Sequence, residues 1–122
     1  MLSFIAKLFR KDEARLEHPE HAYHVEDAGE EIRCQFKDHP RQSVRWTDLV
    51  EIRIFTTDEG PLLPDFYWRF ITPTGEVVFP EMALGYKAVI DRAMKLPGYD
   101  FEQSIAAVRS TENAEFIVWR LS

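Results

Sequence analysis

His18, His21 and His24 follow one another at three-residue steps, with Glu17 and Glu20 between them. Imidazole and carboxylate groups are the usual ligands of zinc, so this stretch is the first place to look for a metal site. Three-residue steps drift around a helix, and Pro19 breaks such a helix in any case. A polar loop that happens to be rich in histidine is the preferred reading, and no cofactor is expected. The carboxylates make a second group. Asp58, Glu59 and Asp65 surround a Gly60-Pro61 loop, and Asp48 belongs to a neighbouring turn. Paired acids can do acid–base chemistry when burial drives their pKa values apart. Aspartate beside glycine or proline also bonds its own backbone in turns. These acids therefore read first as turn formers, second as contacts for a ligand or partner, and last as catalysts.

Aromatic residues flank the same loop. Phe55 and Tyr67, if exposed, would complete a binding surface with Asp58, Glu59 and Asp65. Trp46, Trp68 and Trp119 could form a shelf for a ligand, since tryptophan suits interfaces. At least two of the three are expected in the core instead. Cys34 lies in the inward phase of its strand, away from the electropositive setting a reactive thiol needs. Gly85 weakens the helix in which its neighbours place it. Something must approach it closely, and a strand of the same chain is the preferred candidate. Neither Gly-x-Ser-x-Gly nor Gly-x-x-x-x-Gly-Lys occurs. With five glycines in the chain, a glycine-rich phosphate cradle is hard to build. No catalytic residue is assigned.

The elements that must position these groups follow from apolar periodicity. Leu2, Ile5, Leu8 and Phe9 have helical spacing, which predicts an N-terminal helix over 1–17. Its basic and aromatic residues could hold it at a membrane surface, but Asp12, Glu13 and Glu17 reverse its charge. Packing on the sheet or on another subunit is preferred. Ile32, Cys34 and Phe36 alternate with Glu31, Arg33 and Gln35, as a half-buried strand requires. Val44 and Trp46 resume the alternation. Val50, Ile52 and Ile54 form the clearest strand, because β-branched residues hold the inward phase. Phe66 to Thr72 and Val77 to Phe79 are further strands, joined through Pro73-Thr74-Gly75.

Pro80 fits the first turn of a helix. Met82, Tyr86, Val89, Ile90, Ala93 and Met94 then fall on one helical face. A second helix begins at the cap Asp100, with Gln103 three residues on. Phe101, Ile105 and Val108 form its apolar stripe. Phe116 to Trp119 closes the chain as a strand. The prediction is one domain over 1–122, with strands in 23–79, helices in 80–109 and a last strand at 115–120. Strands followed by helices read as an α+β fold with antiparallel pairing.

Val44-Arg45-Trp46-Thr47-Asp48-Leu49, Ile52-Arg53-Ile54 and Thr57-Asp58-Glu59-Gly60-Pro61 resemble a group of small, uncharacterised bacterial proteins. Phe79-Pro80-Glu81-Met82-Ala83-Leu84-Gly85 and Leu96-Pro97-Gly98-Tyr99-Asp100 extend the likeness, which covers roughly residues 43 to 119. The resemblance implies a pleckstrin-homology-like barrel with a helix plugging one end. Lipid-binding members of that class use a basic loop between their first strands. Here the nearest basic cluster, Lys37, His39, Arg41 and Arg45, is diluted by Asp38, which argues against phosphoinositide binding.

Bulk properties narrow the function classes. A chain of 122 residues buries roughly 65% of its unfolded surface and can build a core without staples. Nine Phe, four Tyr and three Trp argue against disorder. A single cysteine cannot form an internal disulfide, and no apolar run approaches the ~20 residues of a membrane span. The chain is therefore expected in the cytoplasm. A net charge of −6 disfavours nucleic acid and favours a basic protein partner. The resulting expectation is a non-enzymatic binding or interaction module, for example an immunity-type protein that caps a basic toxin. The competing class is a small enzyme or ligand carrier with a pocket at a barrel mouth. A homo-oligomer is a third option.

Overall fold

A computed structural model describes residues 19–58 and 65–122. The expected N-terminal helix, His18, and Glu59 with Gly60-Pro61 lie outside the described residues. After a 3-10 turn at Pro19–Ala22 come β1 (Tyr23–Asp27), β2 (Glu31–Phe36) and β3 (Gln42–Arg45). They form one antiparallel sheet in the order β1-β2-β3. A second 3-10 turn, Trp46–Asp48, leads into β4 (Glu51–Thr56), β5 (Phe66–Thr72) and β6 (Gly75–Pro80). Two helices follow, α1 (Tyr86–Ala93) and α2 (Phe101–Arg109), and then β7 (Ala114–Arg120). The second sheet is also antiparallel, in the order β6-β5-β4-β7. The fold is α+β, as the element order predicts.

Neither sheet closes on itself. The three-stranded sheet packs against β6 and β5, and side chains take the place of a closing ladder. The Gln42 side-chain oxygen accepts the Val78 N–H at 3.2 Å, and the Cys34 thiol lies 4.0 Å from the Val78 carbonyl. These contacts engage the Val78 N–H and carbonyl on the open edge of β6 without joining the sheets backbone to backbone.

The inward phase of each strand fills the space between. Ile32, Cys34 and Phe36 are buried, as are Ile52, Ile54, Trp68, Phe70, Val77 and Phe79. Trp46 meets Phe70 edge-on at 6.0 Å, and Phe79 stacks on Phe70 at 5.7 Å. All three tryptophans are core residues, and each indole N–H finds an acceptor. Trp46 donates to Asp27, Trp68 to Glu81 and Trp119 to the Pro97 carbonyl. Buried tryptophan requires such partners. Across the other face of the four-stranded sheet, Arg53 pairs with Glu51 and Glu115, and Arg69 with Glu76 and Glu115. Glu115 thereby separates two arginines that sit opposite each other in the β4–β5 register.

The helices depart from the periodicity. Pro80 ends β6 rather than starting a helix, and α1 begins only at Tyr86. Between them the chain turns, with the Ala83 N–H bonded to the Pro80 carbonyl. Met82 takes φ +70 at the third position of this turn and is exposed. Leu84 then lies beside β1: it donates to the Tyr23 carbonyl and accepts from the Val25 N–H. Two backbone hydrogen bonds to a strand thus override the helical spacing of the side chains.

Gly85 is not inside a helix but caps one, at φ +83. A Cβ there would overlap the Val25 carbonyl oxygen, so the close neighbour is a strand of the same chain. In α2, Asp100 caps as expected, accepting the Gln103 N–H at 3.1 Å. Its apolar stripe, however, faces outward. Phe101, Ile105 and Val108 are 54%, 51% and 71% exposed, while Ala107 is buried. The buried side lies about a third of a turn away around the helix, because small residues let α2 sit close against β7.

Candidate binding groove between the two helices and the sheet

Inner-face residues of β4 and β5, chiefly Ile54, Phe66 and Trp68, form the floor of a groove of about 270 Å³. Tyr86, Ile90 and Met94 of α1 and its C-terminal flank make one wall. Tyr99, Ser104 and Val108 make the other. Strand alternation aims the floor residues inward, and the helical period of α1 aims Tyr86, Ile90 and Met94 at them. Small apolar-walled concavities with a few placed polar groups are the usual form of a binding site.

One acid lies in this apolar setting. The turn at Pro80–Ala83 places Glu81, and its N–H bonds to the Phe66 carbonyl at 2.8 Å. Its carboxylate Oε1 accepts the Trp68 indole N–H at 3.1 Å. No other side-chain hydrogen bond to Glu81 occurs among the described residues. Burial raises its pKa, and the Trp68 bond only partly offsets that. The left-handed backbone of Met82, next in sequence, is uncommon for a residue with a side chain and marks a turn held in place by its surroundings.

Beside it, the Tyr99 hydroxyl and the Ser104 hydroxyl share a hydrogen bond of 2.6 Å. Burial raises the Tyr99 pKa, and the negative charge of Glu81 adds to the effect. At the rim, Lys87 and Asp91 pair loosely at 3.9 Å, one turn apart on α1. The exposed Val108 carries the apolar surface out of the groove toward Ile105 and Phe101.

Trp68 lines the groove floor, but the other described residues singled out from sequence as site candidates lie elsewhere. Asp58 and Asp65 are exposed at the base of their loop. The Asp58 N–H bonds to the Asn113 side chain, and the Asp65 carbonyl accepts the Thr57 N–H. Both contacts are made by backbone atoms of the aspartates and close the base of the loop. Glu59 lies outside the described residues. Phe55 and Tyr67 are not the exposed aromatics expected beside the loop. They are 1% and 2% exposed and stack at 4.9 Å with planes 10° apart. At this end of the sheet both faces are covered, so alternation does not send one face to water.

His21 and His24 are exposed, His24 on β1 opposite Gln35. Among the described residues no three His, Cys, Asp or Glu side chains gather as metal ligands. Cys34 is buried, and desolvation pushes its thiol up to about 12.

Glu81 was missed because the sequence places it in the first turn of a helix. Its role depends on the register that sets Trp68 opposite Phe79, which no local pattern carries. No protein-family model matches this chain, and no curated protein or solved structure is found to be similar to it. Among the described residues, no helix is long and apolar enough to cross a membrane.

Proposed function

We propose that this chain is a non-enzymatic interaction module of the cytoplasm that captures a basic, amphipathic segment of a partner protein in the groove between α1 and α2. The observation that carries the reading is Glu81: a half-buried carboxylate on an apolar floor, bonded only to Trp68 among the described residues, beside an exposed apolar stripe. Apolar contact with Val108, Ile105 and Phe101 supplies area, and the carboxylate supplies a charge to be matched. The net charge of −6 and the exposed Asp58 and Asp65 add long-range attraction for such a partner. An immunity-type protein capping a basic toxin is one concrete form of this activity. The two-sheet layout, open along β6, supports a pleckstrin-homology-like scaffold turned to protein rather than lipid binding.

The test is fluorescence anisotropy with a labelled amphipathic peptide of leucine and lysine. Binding should weaken as salt rises, and Val108→Asp or Ile105→Asp should weaken it at least tenfold. Equal binding by wild type and both variants would remove the groove from consideration.

A second reading rests on the shared hydroxyl pair of Tyr99 and Ser104 near Glu81. Three polar groups converging in one concavity also suit a carrier or small enzyme for a polar metabolite. Such a site would bind a small molecule with little dependence on salt, and the α2 stripe variants would leave it unchanged.

A further inference from the structure

Resting on that reading, we infer that the groove is selective for lysine: a partner's lysine side chain enters between α1 and α2 and seats its ammonium group on the Glu81 carboxylate. The geometry of the acceptor separates lysine from arginine. Glu81 Oε1 already accepts the Trp68 indole at 3.1 Å, so a guanidinium reaching both oxygens would have to share one of them with the indole, whereas an ammonium needs only the other. A guanidinium gains its advantage from a two-pronged contact with both oxygens of an acid. An ammonium is a compact point charge that is satisfied by one oxygen and nearby hydroxyl or aromatic groups.

The groove supplies those neighbours. The Tyr99 and Ser104 hydroxyls stand on the facing wall, and the rings of Phe66, Trp68 and Tyr86 line the path. Aromatic faces attract cations, and apolar walls suit a methylene stem whose charged tip finds a polar end. The rim favours the same arrangement. Asp91 is acidic, and Lys87, 80% exposed, can swing away into solvent. Among the described residues Glu81 is the one carboxylate on the floor, so a single lysine is enough to define the register of a bound segment.

The experiment uses the full chain and three synthetic amphipathic peptides of leucine and glutamine. They differ at one central position, which holds lysine, arginine or norleucine. The lysine peptide should bind at least tenfold more tightly than either twin. It alone should shift the Trp68 indole N–H resonance strongly in a ¹⁵N-labelled sample. Glu81→Gln keeps an oxygen for the Trp68 bond, and it should bring the three peptides to within about twofold of one another. Arginine binding as well as lysine, or a lysine preference that survives Glu81→Gln, overturns the inference.

If all three peptides bind equally and Val108→Asp weakens them all, the docking groove stands and the lysine anchor falls. If none binds, both fall. Should Glu81→Gln fail to fold, the ranking of the three peptides on wild-type protein still decides the matter.

Discussion

The guanidinium carbon of Arg92 lies 4.3 Å from the centre of the Trp46 ring, and both residues donate to the same Asp27 oxygen, at 2.9 Å and 3.1 Å. Arg92 also donates to the Gly29 carbonyl at 2.6 Å. Residues from α1, the β1–β2 turn and the 3-10 turn after β3 therefore meet at one carboxylate. This junction fixes α1 against the three-stranded sheet, and with it one wall of the groove. Asp27→Ala leaves the Trp46 indole without its acceptor and should cost about 1–3 kcal/mol. Arg92→Ala removes a half-exposed cation and should cost less, about 1 kcal/mol. Urea midpoints of the two variants check the order, and a larger loss at Arg92 would contradict it.

Glu81 makes stability depend on pH in a direction opposite to that of an ordinary paired acid. Burial raises its pKa in the folded chain, so the folded state holds the proton more tightly than the unfolded state does. The associated stability is fully present below the unfolded value, about 4.3. It is lost as pH rises through the higher folded value. The difference in urea midpoint between Glu81→Gln and wild type should therefore shift in favour of the variant as pH rises from about 4 toward neutrality. A difference independent of pH would mean that the carboxylate is not desolvated.

Cys34 is 3% exposed, and its thiol is held at about 12. The thiolate is the reactive form, so modification by a disulfide reagent at pH 8 should be very slow in the native protein. In urea above the unfolding midpoint it should be complete within minutes. Rapid labelling of the folded chain would show that the packing at β2 and β6 opens readily.

Gly85 combines a left-handed φ of +83 with no room for a Cβ against the Val25 carbonyl. Gly85→Ala should destabilise by more than about 2 kcal/mol, since backbone strain and steric overlap add. The same change at Gly29, also left-handed but with open space around it, should cost only about 1 kcal/mol. Comparing the two thermal midpoints separates strain from overlap, and equal losses would show that the overlap is relieved elsewhere.

The strands were legible where one face is wet. Ile32, Cys34 and Phe36 alternate with half-buried polar residues across β2, and period two places them correctly. The Asp100 cap was legible because capping is local. Three features were not legible, each for a non-local reason. Phe55 and Tyr67 occupy the outward phase yet are buried, since alternation reports a difference between faces and fails where both are covered. The stretch from Pro80 to Gly85 carries helical spacing, but its backbone is taken up by a turn and by β1. Glu81 becomes a groove carboxylate only through the pairing of β5 with β6 and the placement of both helices. The candidate site therefore came from tertiary arrangement, whereas Asp58 and Asp65, which stood out in sequence, lie outside it.

The side-chain seam at Val78 has a consequence for the order of assembly. No backbone ladder crosses from the first three strands to β6, so β1, β2 and β3 find their ladder partners among themselves, with Leu84 added beside β1. The hairpins of 51–80 are likewise formed from chain neighbours. Among the strand ladders β7 spans the longest separation: Arg120 meets Glu51, 69 residues earlier. On a ribosome the early hairpins can mature as they emerge, while β4 waits with a bare edge until residues 114–120 have followed. Commitment to the native state thus falls to β7, and a chain that loses it should stall as a sticky, half-built species rather than unravel.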